Sequence, residues 1–131
     1  MERTVVNPWP WSIKQGFNQG EVVTGSTRTL YCAGQTSVDA DGAVLHVGDM
    51  AAQITLALDN LEAVLRGAGM SLANVVRLNI YTTDVDLMFE HIGALDGRTA
   101  AAGVAPPGVL LGVARLAYPE LLVELEATAA D

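Results

Sequence analysis

The segment DMAAQITLALDNLEAVLRGAGMSLANVVRLNIYTT, residues 49–83, decides how the rest of the chain is read. Its first half carries Ile54, Leu58, Leu61 and Leu65 at three- and four-residue spacing, with Gln53, Asp59, Glu62 and Arg66 between them. That spacing lines one face of a helix with 3.6 residues per turn, so it predicts an amphipathic helix over 49–66. Asp49 supplies an oxygen for the free N–H groups at its start, and Gly67 and Gly69 end it. After a turn at Ser71 the pattern changes to period two. Val76, Leu78 and Ile80 fall on one face of a strand over Val75–Thr82, and Arg77, Asn79 and Tyr81 on the other. The apolar face packs on helices, while the polar face suits the wall of a cavity or an inter-subunit surface.

Toward the C-terminus, Asp84 opens a second, weaker helix that runs to about Arg98 and turns Phe89, Ile92 and Leu95 inward. Ala-Gly-rich residues 99–105 and Pro106-Pro107 separate it from two apolar strands, Val109–Leu116 and Leu121–Thr128. These read as a hairpin joined by Ala117-Tyr118-Pro119-Glu120 and buried on both faces. Toward the N-terminus, Gly20–Gly34 reads as another hairpin, turning at Thr24-Gly25-Ser26-Thr27, with Cys32 as a buried thiol in its second strand. Asp39-Ala40-Asp41-Gly42 begins like a calcium loop, but no glutamate closes it, so it reads as a turn. Residues 1–16 read as an irregular arm in which Pro8 and Pro10 alternate with Trp9 and Trp11, the indoles pressed on apolar surface. The order ββ, α, β, α, ββ predicts one α+β domain over 1–131, a mixed sheet with two helices on one face.

The chain is 50% hydrophobic and 17% charged over 131 residues, with mean hydropathy +0.32. A domain of this size buries only about two thirds of the surface its unfolded chain exposes, so the composition leaves apolar surface to spare. With the helix-free sheet face bare and apolar, symmetric association into an obligate oligomer is expected. Fifteen acidic residues against seven basic ones give a net charge of −8, and the bases stand singly, which disfavours a nucleic-acid partner. Cys32, the single cysteine, allows neither an internal disulfide nor a thiolate metal site. No stretch suits a signal peptide or approaches the roughly 20 apolar residues of a membrane span, so a cytoplasmic protein without membrane association is expected. His46 and His91 have no supporting cluster, and no Gly-rich phosphate loop precedes a lysine, so neither metal nor nucleotide cofactor is expected.

Several further segments belong together. They are Tyr31-Cys32-Ala33-Gly34-Gln35, the Val-Asp-x-Asp-Gly turn, Gly48-Asp49-Met50-x-x-Gln53, Ala68-Gly69-Met70-Ser71-Leu72, Tyr81-Thr82-Thr83-Asp84, Gly112-Val113-Ala114-Arg115-Leu116 and Val123-Glu124-Leu125-Glu126-Ala127. In this order and spacing they resemble the Rid family, reactive intermediate deaminases of YjgF-like type, over roughly residues 17–128. The resemblance implies a chorismate-mutase-like protomer and a homotrimer with a barrel-like centre and three small-ligand clefts between subunits. Many members hydrolyse reactive enamines or imines derived from amino acids, without metal or organic cofactor.

The family's site implies an arginine that clamps the substrate carboxylate, with a supporting tyrosine, serine, asparagine and cysteine, and a glutamate that positions water. Aligned on Val113-Ala114-Arg115-Leu116, the arginine position is Gly108 and the cysteine position Leu110. The serine position is Ala33, beside Gly34; the tyrosine position is Phe17; the asparagine position is Ile92, next to His91. Glu124 alone retains the family's residue. Glycine offers nothing in place of a guanidinium that binds a carboxylate through two parallel hydrogen bonds, so ordinary 2-iminoacid hydrolysis is not expected. What is expected is an apolar inter-subunit cleft of Phe17, Ala33, Gly34, Ile92, Gly108 and Leu110 around Glu124. Such a surround suits a carboxyl to general acid or base work, with His91 as its candidate partner. The expected function is action on, or binding of, a small enamine- or imine-type metabolite; the alternative is a non-catalytic trimer that binds a metabolite or partner.

Overall fold

The chain runs through β1 (Glu2–Val6), β2 (Gly20–Thr24), β3 (Thr29–Tyr31), α1 (Met50–Gly67), β4 (Val75–Thr82), α2 (Val85–His91), α3 (Gly93–Ala101), β5 (Leu110–Gly112) and β6 (Val123–Ala130) in the computed structural model, which describes residues 1–131. A four-stranded mixed sheet has the order β3-β6-β4-β5, with β6 antiparallel to both neighbours and β5 parallel to β4. β1 and β2 form a separate antiparallel pair. The fold is α+β, as the alternation of patterns predicts.

α1 begins where Asp49 accepts a hydrogen bond from the Ala52 N–H. It buries Ile54, Leu58, Leu61 and Leu65 completely, against Val123, Leu125, Ala127 and Ala129 of β6 and Leu78 and Ile80 of β4. Full burial of such a side chain is worth about 1.5–3 kcal/mol relative to exposure, so this layer holds the molecule together. Gln53, expected on the polar face, is also fully buried. It stands four residues before Ala57 and eight before Leu61, hence on the same stripe. Its amide is spent on loop backbone: Nε2 donates to the carbonyls of His46 (3.1 Å) and Glu120 (3.0 Å), and Oε1 accepts from the Leu122 N–H (2.8 Å).

Four expectations about connectivity are corrected. β2 and β3 are not hairpin partners: β2 pairs with β1 and β3 with β6. The turn at Gly25 is real, but the chain is drawn away beyond it, where Thr27 and Arg28 N–H groups bond the Asp131 carbonyl and the Arg28 guanidinium pairs with the Asp131 carboxylate. Residues 109–128 are not a hairpin either, because β5 and β6 flank β4 on opposite sides. The strand expected over Val109–Leu116 shrinks to three residues, and the segment that follows crosses from one side of β4 to the other. Nor are these strands buried on both faces: β6 alternates, and Leu111 is 48% exposed.

The first 16 residues are not irregular. β1 pairs with β2 in register, and Pro10 opens a 3₁₀ helix over Pro10–Gln15. Arg3 fastens this hairpin to the body, pairing with Glu21 (2.7 Å) and donating to the carbonyls of Ala73 (2.6 Å) and Val75 (2.7 Å). Trp9 and Trp11 are exposed rather than pressed on apolar surface; Trp11 meets Phe17 edge-on at 5.8 Å between ring centres. The second helix breaks at Ile92 into α2 and α3, where the Ile92 carbonyl accepts from both Leu95 and Asp96 N–H groups and glycine follows directly. Met88 and Leu95 fill the core, while Phe89 is 56% exposed.

The helix-free face of the sheet is polar, not apolar. Register puts Arg77, Asn79 and Tyr81 beside Thr128, Glu126 and Glu124. Glu126 accepts from Asn79 Nδ2 (2.8 Å) and the Tyr81 hydroxyl (2.9 Å), and these two hydrogen bonds hold its carboxyl below the usual range. The polar wall expected from the alternation in β4 is therefore present, and the spare apolar surface lies elsewhere.

Candidate functional site

That surface lines a cleft of about 590 Å³ between α2–α3, the β4–β5 edge and the N-terminal 3₁₀ turn. The volume suits a small metabolite. Helical spacing sets one wall: Phe89, Ile92, Asp96 and Thr99 recur at three and four residues across the α2–α3 break, and all four line the cleft. Leu78 and Ile80 of β4 form the floor with Leu110, which pairs with Ile80. Trp11 and Phe17 close the third side.

Four of the expected site residues meet here: Phe17, Ile92, Gly108 and Leu110. Ala33, Gly34 and Glu124 do not. Leu110, Ile80 and Leu125 are lateral neighbours, so their side chains share the helix-covered face; Tyr81 and Glu124 are lateral neighbours on the opposite face. Glu124 instead lies against Gly34, where a Cβ would sit 2.6 Å from its carboxyl carbon. Exposed Ala33 adjoins them, so these three residues form a second cluster. His91 reaches neither group of residues as a lining side chain: Ile92 faces the cleft, and the preceding position on a helix points about 100° away.

Gly108 has a reason of its own. A Cβ there would fall 1.7 Å from the Leu78 carbonyl oxygen. Pro107 and Val109 carbonyls accept from the Leu78 and Ile80 N–H groups, drawing this segment tightly along β4. The two backbones approach too closely here for any side chain, an arginine included.

The carboxylate in the apolar cleft is Asp96, which the sequence reading passed over. Its place one helical turn after Ile92 was the available signal. Asp96 lies against Gly16, whose φ of +87° brings bare backbone to within Cβ distance: a methyl at Gly16 would be 3.1–3.3 Å from the carboxyl atoms. No side chain or N–H group donates to this carboxyl, and burial raises its pKa above the ordinary aspartate value. A group with a raised folded-state pKa favours folding below its unfolded pKa, and that contribution is lost as pH rises through the folded value. Asp96→Asn is therefore expected to raise the melting temperature at pH 7, with the gain shrinking as pH is lowered through the range in which carboxyls protonate; thermal melts along a pH series check this. Lys14, the other charged residue of the wall, is exposed and makes no ion pair with Asp96. No three His, Cys, Asp or Glu side chains gather in a metal-binding arrangement, and no helix is long and apolar enough to cross a membrane.

Four known proteins or families resemble the chain. A family model described as endoribonuclease L-PSP matches residues 12–131. The solved structure of YyfB from Yersinia pestis, a Rid family protein of unknown function, is 38% identical with a TM-score of 0.90 over 99% of both chains. Escherichia coli TdcF, solved with bound serine, is 25% identical with a TM-score of 0.71 over 88% of this chain and 87% of its own. The 2-iminobutanoate/2-iminopropanoate deaminase of Rattus norvegicus is 34% identical over 59 residues, 45% of this chain and 43% of the relative.

Proposed function

Because the chain belongs to the endoribonuclease L-PSP family, the YjgF-like Rid proteins, we propose that it acts as a homotrimer whose inter-subunit clefts take a small reactive metabolite of enamine or imine type. It is not a standard 2-iminoacid deaminase. The observation that carries this reading is the division of the expected site. Phe17, Ile92, Gly108 and Leu110 line one cleft, while Ala33, Gly34 and Glu124 cluster on the opposite face of the sheet. A ligand touching both sets needs two copies of the chain, each giving one half. Exposed Trp11, Phe89 and Val109 around the cleft support coverage by a second copy.

In this arrangement Glu124 of one copy is the general acid or base that directs water at the imine carbon of a ligand seated in the apolar half. Neither metal nor organic cofactor takes part. The arginine clamp for a carboxylate is missing: Gly108 admits no side chain, and Arg115 is exposed with its Nε donating to the Leu116 carbonyl, which leaves the single exposed ammonium of Lys14. The ligand is accordingly one without a carboxylate to clamp. The apolar residues Phe17, Ile92 and Leu110 also favour a second reading, a trimer that binds its metabolite without converting it.

Sedimentation velocity and a paired turnover assay test this. A trimer is expected, with no ammonia release from freshly generated 2-iminopropanoate and measurable release from imines that lack a carboxylate. Glu124→Gln is expected to cut that release by about 10²-fold or more. Efficient turnover of 2-iminopropanoate, or a monomer in solution, overturns the proposal; binding of such imines without release selects the second reading.

A further inference from the structure

The cleft lining carries two charged groups, the half-buried Asp96 carboxylate and the exposed Lys14 ammonium, and it is the carboxylate that sits deeper. Asp96 lines the cleft together with Trp11, Phe17, Phe89 and Ile92 and has no hydrogen-bond donor of its own, and its neighbour across the gap is the bare backbone of Gly16. Lys14 lines the same cleft, exposed and not paired with Asp96. A carboxylate ligand would meet Asp96 at close range with only the exposed Lys14 ammonium, and no arginine, to offset the repulsion. An ammonium or iminium would bring the missing donors, form charge-assisted hydrogen bonds, and lie near aromatic faces that favour a cation.

We infer that the cleft selects a protonated organic amine or iminium with an apolar body, and that the Asp96 carboxylate is the group that recognises the nitrogen. This rests on the reading of the cleft as the ligand site, and it names the ligand class that reading leaves open. It also orients the ligand: nitrogen toward α3, hydrocarbon toward Leu110 and the β4 floor.

The test is calorimetric titration of the full chain with three probes of one shape: benzylamine, benzyl alcohol and benzoate. Benzylamine is expected to bind roughly 10- to 100-fold more tightly than benzoate. Asp96→Asn is expected to remove that preference while leaving benzyl alcohol within about twofold, and Asp96→Glu, which keeps the charge, to retain it. For the unsubstituted chain, benzylamine affinity is expected to fall as pH is lowered, because protonation neutralises Asp96 while the probe stays charged. That decline begins above the pH at which an ordinary aspartate titrates, since burial raises this carboxyl. Equal binding of all three probes, or an Asp96→Asn protein that keeps the preference, overturns the inference. Sedimentation of the same samples separates it from the trimer reading: a monomer that still selects benzylamine through Asp96 upholds this inference and removes inter-subunit closure.

Discussion

Gly108→Ala is expected to destabilise the fold by about 3 kcal/mol or more, the upper end of what an added methyl costs in a packed interior. The added carbon would lie 1.7 Å from the Leu78 carbonyl oxygen and 2.6 Å from its carbon. Both belong to backbone, so no rotamer change relieves the contact. β4 cannot recede, because β6 holds its other edge over Val75–Thr82. Relief must come from lifting residues 107–109 off β4, which breaks the hydrogen bonds from Leu78 to Pro107 and from Ile80 to Val109. Urea denaturation followed by circular dichroism measures the loss; a change under about 0.5 kcal/mol would show that the approach is looser than described. The same contact bears on function. Gly108→Arg, the natural attempt to restore a carboxylate clamp, is expected to unfold the protein rather than confer 2-iminoacid hydrolysis.

Gln53→Leu is also expected to destabilise the fold, although leucine is the more apolar residue and the site is fully buried. The substitution strands two carbonyls, of His46 and Glu120, and the N–H of Leu122. Each of the three hydrogen bonds lost is worth roughly 0.5–1.5 kcal/mol, more for the half-buried Leu122 N–H, and together they exceed the gain from a buried leucine. His46 sits at φ +63°, a conformation unfavourable for a residue with a Cβ, so the Gln53 bond also holds a strained loop in place. Gln53→Glu gives a signed pH test. A carboxylate would face two carbonyls, so its folded pKa rises, and stability should be highest at low pH and fall as pH increases. A Gln53→Leu protein as stable as the parent would sink this account. Leu122 leads directly into β6, so the bridge also sets the position of Glu124.

Residues whose structure rests on nearby neighbours were legible from the chain alone. The α1 stripe, its Asp49 cap, the alternation of β4 over 77–82 and the turn at Asp39, which accepts from Asp41 and Ala43 N–H groups, all depend on contacts within a few residues, whereas a bulge before Arg77 puts Val75 in the core where Val76 was expected. The buried Cys32 also stands as expected, its thiol pushed up by burial. Even Gln53 and Asp96 occupied readable positions, on the core stripe and one turn after Ile92. What misled was their polarity, since the partners of Gln53 lie far along the chain and Asp96 has none.

Strand partners belong to the other category. Turn residues at Gly25 and around Pro119 mark where the chain bends but not which edge it joins, because pairing energy comes from hydrogen bonds between segments far apart in sequence. Hence two hairpins were expected where β2 joins β1, β3 joins β6, and β5 and β6 flank β4. The site divides in the same way. The sequence by itself determined the α+β class, the family and four positions that line the cleft, Phe17, Ile92, Gly108 and Leu110. Only the tertiary structure decided that register sends Glu124 and Leu110 to opposite faces, that Leu78 leaves no room at residue 108, and that Asp96 is the carboxylate in the cleft. Each depends on the distance between two backbones brought together by folding, a quantity no local pattern encodes.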